Sequence, residues 1–134
     1  MSVRAETSEL VLKLPARAEY LMFSRLVLTG LSRATEIDPE TVADLKLAVS
    51  EACSYAIRSW GEGNGTLAVR YELRPDEVAV EVEAELVAGN PVLDDESLGE
   101  GDLGLAIITA LVDQLEVEQG PDGQVSRISF RKTF

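Results

Sequence analysis

Between Leu67 and Glu83 the chain alternates apolar and polar residues almost without a break. Leu67, Val69, Tyr71 and Leu73 are interleaved with Ala68, Arg70 and Glu72; Val78, Val80 and Val82 are interleaved with Ala79, Glu81 and Glu83. Successive side chains of an extended strand point to opposite faces, so this pattern predicts two strands with one face buried and one wet. Arg74-Pro75-Asp76 between them is a turn short enough to fold the pair antiparallel. A sheet with a single apolar face needs a cover on one side only.

Two helices precede the pair and one follows it. Pro15 is read as a helix start, since its missing N–H is unused in a first turn. From Ala16 to about Ala34, Leu21, Phe23, Leu26, Val27, Leu28 and Leu31 recur at helical spacing. Gly30 inside that stretch costs about 1 kcal/mol relative to alanine. Asp38-Pro39-Glu40 is a stronger start: a capping carboxylate, a proline with no N–H to strand, and an acid at the positive helix end. That helix runs to about Trp60, with Leu45, Val49, Ala52, Cys53, Ala56, Ile57 and Trp60 on one stripe, and Gly61 to Gly65 ends it. Leu103 to Leu115 returns to helical spacing. Glu9 to Leu14 reads as a strand, and Glu116 to Glu118 with Val125 to Phe130 reads as a final hairpin around Gly120-Pro121-Asp122-Gly123. Gly89 to Gly101 is an acidic loop. The expected fold is α+β, a two-layer sandwich of a mainly antiparallel sheet with helices on one face, in a single domain over residues 1–134.

Composition excludes whole classes of chemistry. The chain has no histidine, so no Ser-His-Asp or Cys-His machinery and no histidine-ligated metal site can be built. Its single cysteine, Cys53, forms no internal disulfide and falls on the buried stripe as a small core residue. Twelve bases against 24 acids give a net charge of −12, which argues against nucleic acid and fits a protein partner, best one with a basic face. No signal peptide is evident and no apolar run approaches the roughly 18 residues of a membrane span, so the expected location is the cytoplasm, with no membrane partner.

Few residues stand out as chemical. Glu51 and Tyr55 are one helical turn apart, at the edge of the stripe on the side of Ala48 and Ser59; Glu51 is a general-base candidate or a solvated glutamate. Leu98 to Ala106 is a glycine-bearing loop entering a helix, a phosphate cradle or a plain helix start, and Asp102 within it would repel phosphate. Arg17, Arg25 and Arg33 recur every eight residues on the first helix as a basic ridge or as three solvated arginines. Trp60 and Tyr20 are interface anchors or core residues.

Three segments, in order and at matching spacing, carry a family resemblance: Leu14 to Tyr20, Asp44-Leu45-Lys46-Leu47-Ala48-Val49-Ser50-Glu51-Ala52-Cys53, and Gly101-Asp102-Leu103-Gly104-Leu105. Together they resemble the RsbW/SpoIIAB type of anti-sigma factor, small serine-protein kinases with the GHKL (Bergerat) ATPase fold. The resemblance implies a partner-switching regulator that sequesters a sigma factor, is released by an anti-anti-sigma antagonist of the STAS type, and pairs as a homodimer through the sheet edge near the first strand. It implies sigma contacts at Arg17 and Arg25, and a catalytic base at Glu51. It also implies a Mg-ATP site, whose family positions are altered here. Tyr55 stands where the family has the asparagine that holds magnesium. Ala84, or Glu85 with the register shifted by one, stands for the adenine-reading aspartate, in a stretch that ends at Gly89. Asp102-Leu103-Gly104 replaces Gly-x-Gly. A phenol is a poor ligand for a hard cation, so the implied cofactor is absent or held weakly, with no metal site. Regulation then rests on competition between protein partners; the alternative is a working kinase that phosphorylates its antagonist, with Glu85 or Asn90 standing in for the lost boxes.

Overall fold

The computed structural model describes residues 8–60, 65–85, 102–119 and 125–134. The elements follow the predicted order: β1 (Ser8–Pro15), a 3-10 turn (Ala18–Tyr20), α1 (Leu21–Ala34), α2 (Pro39–Trp60), β2 (Thr66–Leu73), β3 (Glu77–Glu85), α3 (Asp102–Leu111), β4 (Gln114–Gln119) and β5 (Val125–Thr133). The strands form one antiparallel sheet in the order β1-β2-β3-β5-β4. The expected two-layer α+β architecture is the one observed.

Local chemistry sets most boundaries. Asp38 caps α2 twice: its carboxylate accepts the Thr41 N–H at 3.0 Å and the Thr41 hydroxyl at 2.7 Å. Those bonds hold the Asp38 carboxyl below its ordinary range. The β2–β3 turn closes where Arg74 N–H donates to the Glu77 carbonyl at 2.8 Å, with the guanidinium on Glu72 and Glu77. Gly65 enters β2 at φ 104°, a conformation that strains any side chain, and its carbonyl accepts the Ala16 N–H at 3.0 Å.

Three boundaries differ from expectation. Pro15 closes β1 opposite Thr66 instead of opening a helix; a proline without an N–H is equally at home at the end of an edge strand. Regular helix therefore begins only at Leu21, and Arg17 lies before it. The third helix stops at Leu111, not Leu115, because β5 captures its end. Lys132 Nζ donates to the Leu111 carbonyl at 2.7 Å, and the Asp113 carboxylate accepts both the Thr133 N–H at 2.6 Å and its hydroxyl at 2.8 Å. Leu115 and Val117 then sit in β4, half-buried, and both hairpin strands run longer than expected.

The core lies between the sheet and α2. Leu67, Val69, Tyr71, Val78, Val80, Val82, Ile128 and Phe130 close the inner sheet face, and Leu45, Ala48, Val49, Ala52 and Cys53 meet them with no exposed surface on α2. Each fully buried Val, Leu, Ile or Phe contributes roughly 1.5–3 kcal/mol. The stripe on α2 is broader than its sequence pattern, because α1 and α3 pack against it as well as the sheet: Ala48 and Ser59 are fully buried. On α1, Leu21, Leu28 and Leu31 are buried as expected, but Phe23 and Leu26 face outward at 43% and 53% exposure. Burial pushes the Cys53 thiol up to about 12 and raises the Tyr71 phenol well above its ordinary value.

The outer sheet face is wet and self-neutralising. Arg127 spans three strands, bonding Glu83 at 2.9 Å and Glu118 at 3.1 Å, and Arg70 lies 3.7 Å from Glu81 and 3.8 Å from Glu9. Exposed pairs of this kind contribute at most about 1 kcal/mol each. No helix among the described residues is long and apolar enough to cross a membrane.

Candidate functional site

The residues singled out lie on three packed elements, with α3 and β3 each against α2. Glu51 is half-buried on α2, and one turn on, Tyr55 is buried at 6% exposure rather than lying at the stripe edge. The next turn carries Arg58, which sequence reasoning passed over. Its guanidinium carbon lies 5.7 Å from the centre of the Tyr55 ring, in reach of a cation–π contact. The same guanidinium reaches α3: its Nη2 lies 3.4 Å from where a β-carbon on Gly104 would stand. Gly104 is buried, whereas its neighbour Leu103 is 70% exposed. The signal for Arg58 was present as an aromatic and a cation three residues apart on one helix.

Strand alternation separates the two readings of the β3 end. Ala84 shares the inner face with Val78, Val80 and Val82 and packs against the core. Glu85 projects from the opposite face, where its carboxylate lies 3.7 Å from Lys13 Nζ. The side chain on the helix side is therefore a methyl group, and Glu85 cannot replace an aspartate there. Gly89 and Asn90 lie outside the described residues; Asp102 opens α3.

The two expected partner residues occupy a separate surface. Arg25 projects from α1 and donates from Nη1 to Ser50 Oγ on α2 at 2.8 Å. Arg17 is exposed on the segment before α1, 2.6 Å from the Glu19 carboxylate, so the three arginines do not form one ridge on one helix. Around Arg25 the surface is apolar: Met22 (51%), Phe23, Leu26 and, on α2, Leu47 (47%) are all exposed. The Tyr20 and Phe23 rings stack with centroids 6.3 Å apart. No acid occurs in α1.

This two-layer domain, with a long central helix, a short helix beside it and an antiparallel sheet, matches an ATPase-type family. Residues 14–130 match the histidine kinase-like ATPase domain, and the chain belongs to that family. Among curated relatives it is similar to the serine-protein kinase RsbW of Bacillus pumilus (strain SAFR-032), 30% identical over 142 residues that cover 93% of this chain and 88% of that one. RsbW of Bacillus subtilis (strain 168) is 31% identical over 121 residues, covering 80% of this chain and 76% of the relative. Two solved structures share the fold. One holds the RsbU and RsbW domains of Rv1364c from Mycobacterium tuberculosis, with TM-score 0.68, 18% identity, and coverage of 93% of this chain and 31% of that longer one. The other is the SiaB-SiaC complex from Pseudomonas aeruginosa, with TM-score 0.58, 18% identity, and coverage of 93% and 89%.

Proposed function

We propose that the chain is an anti-sigma factor of the partner-switching kind, which sequesters an RNA polymerase sigma factor, is released by a STAS-type anti-anti-sigma antagonist, and has weak or lost nucleotide binding and kinase activity. The observation that carries this reading is the burial of Tyr55 at the family's magnesium position. A hard cation seeks carboxylate, amide or water oxygens in an open shell. At this position it would meet a phenol ring packed among side chains, with the Arg58 cation 5.7 Å away. The adenine-reading position holds the Ala84 methyl, which offers no acceptor to an amino group. Mg-ATP does not suit these residues, and no catalytic step is assigned to Glu51.

The α1 surface supports the partner half of the reading. Exposed Met22, Phe23 and Leu26 on the same helix as Arg25 form an apolar patch with a cation on it, the composition of a protein-binding surface. Homodimer pairing falls to β1, an edge strand whose Leu10 and Val11 are each 47% exposed.

Two measurements test the proposal. Titration calorimetry with Mg-ATP should give no heat of binding in the micromolar range; micromolar binding with phosphate transfer to a STAS-type antagonist would establish the kinase alternative. Co-elution with purified sigma factors of the host should show one stable complex without nucleotide. Failure with every sigma factor would refute the anti-sigma role.

A further inference from the structure

Arg58 stands at the junction of α2 and α3, and neither the family positions nor the partner surface accounts for it. Its side chain makes two contacts at once, one across the Tyr55 ring and one against the first turn of α3 at Gly104. The glycine matters to the second: at 3.4 Å, a guanidinium nitrogen already sits at contact distance from where a β-carbon would be. A larger side chain at residue 104 would push the guanidinium off the helix. Tyr55 matters to the first, since a cation within about 6 Å of an aromatic ring centre is drawn to the ring, and a small amide offers nothing comparable.

We infer that Arg58 is an internal clamp, a positioning residue that holds α3 against α2 by filling with protein atoms the space between Tyr55 and the first turn of α3. The inference rests on the reading that this chain does not use Mg-ATP, and it deepens that reading. A module that depends on a bound nucleotide gains order in mass-action proportion to the ligand. With Tyr55, Arg58 and Gly104 in contact, α3 is ordered by residues that are always present. The partner-binding shape then does not respond to nucleotide supply.

Hydrogen exchange on the full chain tests the clamp. In Arg58→Ala, amides of α3 should exchange about tenfold faster, while those of β2 and β3 keep their protection. Arg58→Lys, which keeps the charge but loses the Nη2 that reaches α3, should fall between. Tyr55→Leu should speed the same α3 amides, and the double variant should be accelerated by less than the product of the two single effects, because both changes break the Arg58–Tyr55 contact. Equal acceleration of α3 and the sheet in Arg58→Ala, or none at all, overturns the clamp. Slowed α3 exchange in the unaltered chain on adding Mg-ATP overturns the reading beneath it, so the two failures are distinguishable.

Discussion

Replacing Tyr71 with phenylalanine removes one oxygen from the centre of the protein and leaves the packing intact. The phenol is fully buried on β2 and donates at 2.7 Å to the Ser24 carbonyl on α1. It is a hydrogen bond that ties α1 to the sheet. The Ser24 carbonyl also lies within the α1 ladder and keeps a helical donor, so Tyr71→Phe strands no acceptor and should cost about 1 kcal/mol. For a chain of 134 residues that is a fall of about 4 °C in Tm. Alkali should erase the difference. Burial first, and the Cys53 beside it second, raise the phenol above its ordinary value of 10.0, while burial lifts the thiol from 9.0 to about 12. In the unfolded chain both groups lose their protons at the ordinary values; in the core they keep them. Above those values the unfolded state binds fewer protons, so stability falls as pH rises, by up to about 1.4 kcal/mol per pH unit per group. The unaltered protein declines on account of Cys53 from near pH 9 and of Tyr71 from near pH 10, whereas Tyr71→Phe carries only the first decline. Its deficit of about 1 kcal/mol should close by about pH 11. Urea melts at neutral pH and at about pH 11 read both quantities. A deficit that persists unchanged in alkali would refute the buried phenol, and a neutral-pH loss above about 3 kcal/mol would refute the argument that nothing is left unpaired.

Asp38→Ala removes both bonds to Thr41 and should lower the Tm at neutral pH. The folded-state carboxyl titrates below its ordinary 3.8, so that contribution is complete above this value and is lost as acid protonates the group; urea melts in acid should show the two proteins converging. Gly30 sits in α1 with nothing within 4 Å of a would-be β-carbon, so Gly30→Ala should stabilise the chain by about 0.5–1 kcal/mol, read as a rise in Tm. Arg25→Glu exchanges an exposed cation for an anion on the proposed sigma-binding surface. It should weaken the complex at least about tenfold by surface plasmon resonance while the melt moves little, and unchanged affinity would take α1 out of the interface.

Where sequence signals were local, the fold was legible. The alternation in β2 and β3 fixed which face each side chain takes, and that same alternation later separated Ala84 from Glu85. Asp38 set the start of α2 without help from the rest of the chain. Non-local contacts decided the misread places. Leu115 fits a helical stripe and a strand equally well, and what ends α3 at Leu111 is Lys132 and Thr133, residues twenty positions away on β5. Pro15 suits a helix start and a strand end alike, and its pairing with Thr66 decides between them. The candidate site followed the same division. Glu51 and Tyr55 were visible as a helical pair, but the burial of Tyr55, with Arg58 5.7 Å from its ring centre, is encoded by no periodicity.

Charge is the case in which whole-chain arithmetic and local surface part company. A net −12 points to a basic partner, and that holds for the chain as a whole. On the outer sheet face, however, Lys13, Arg70 and Arg127 already lie against Glu85, Glu9, Glu81, Glu83 and Glu118, so much of the charge there is spent within the molecule. Helix α1 carries Arg25 and Arg33 and no acid, beside the largest cluster of exposed apolar side chains among the described residues. A partner docking on that helix meets two arginines and no acid from the helix itself. An acidic docking segment would be drawn to those arginines, which aligns the encounter before any apolar contact forms. For such a segment the association rate should then fall as salt rises.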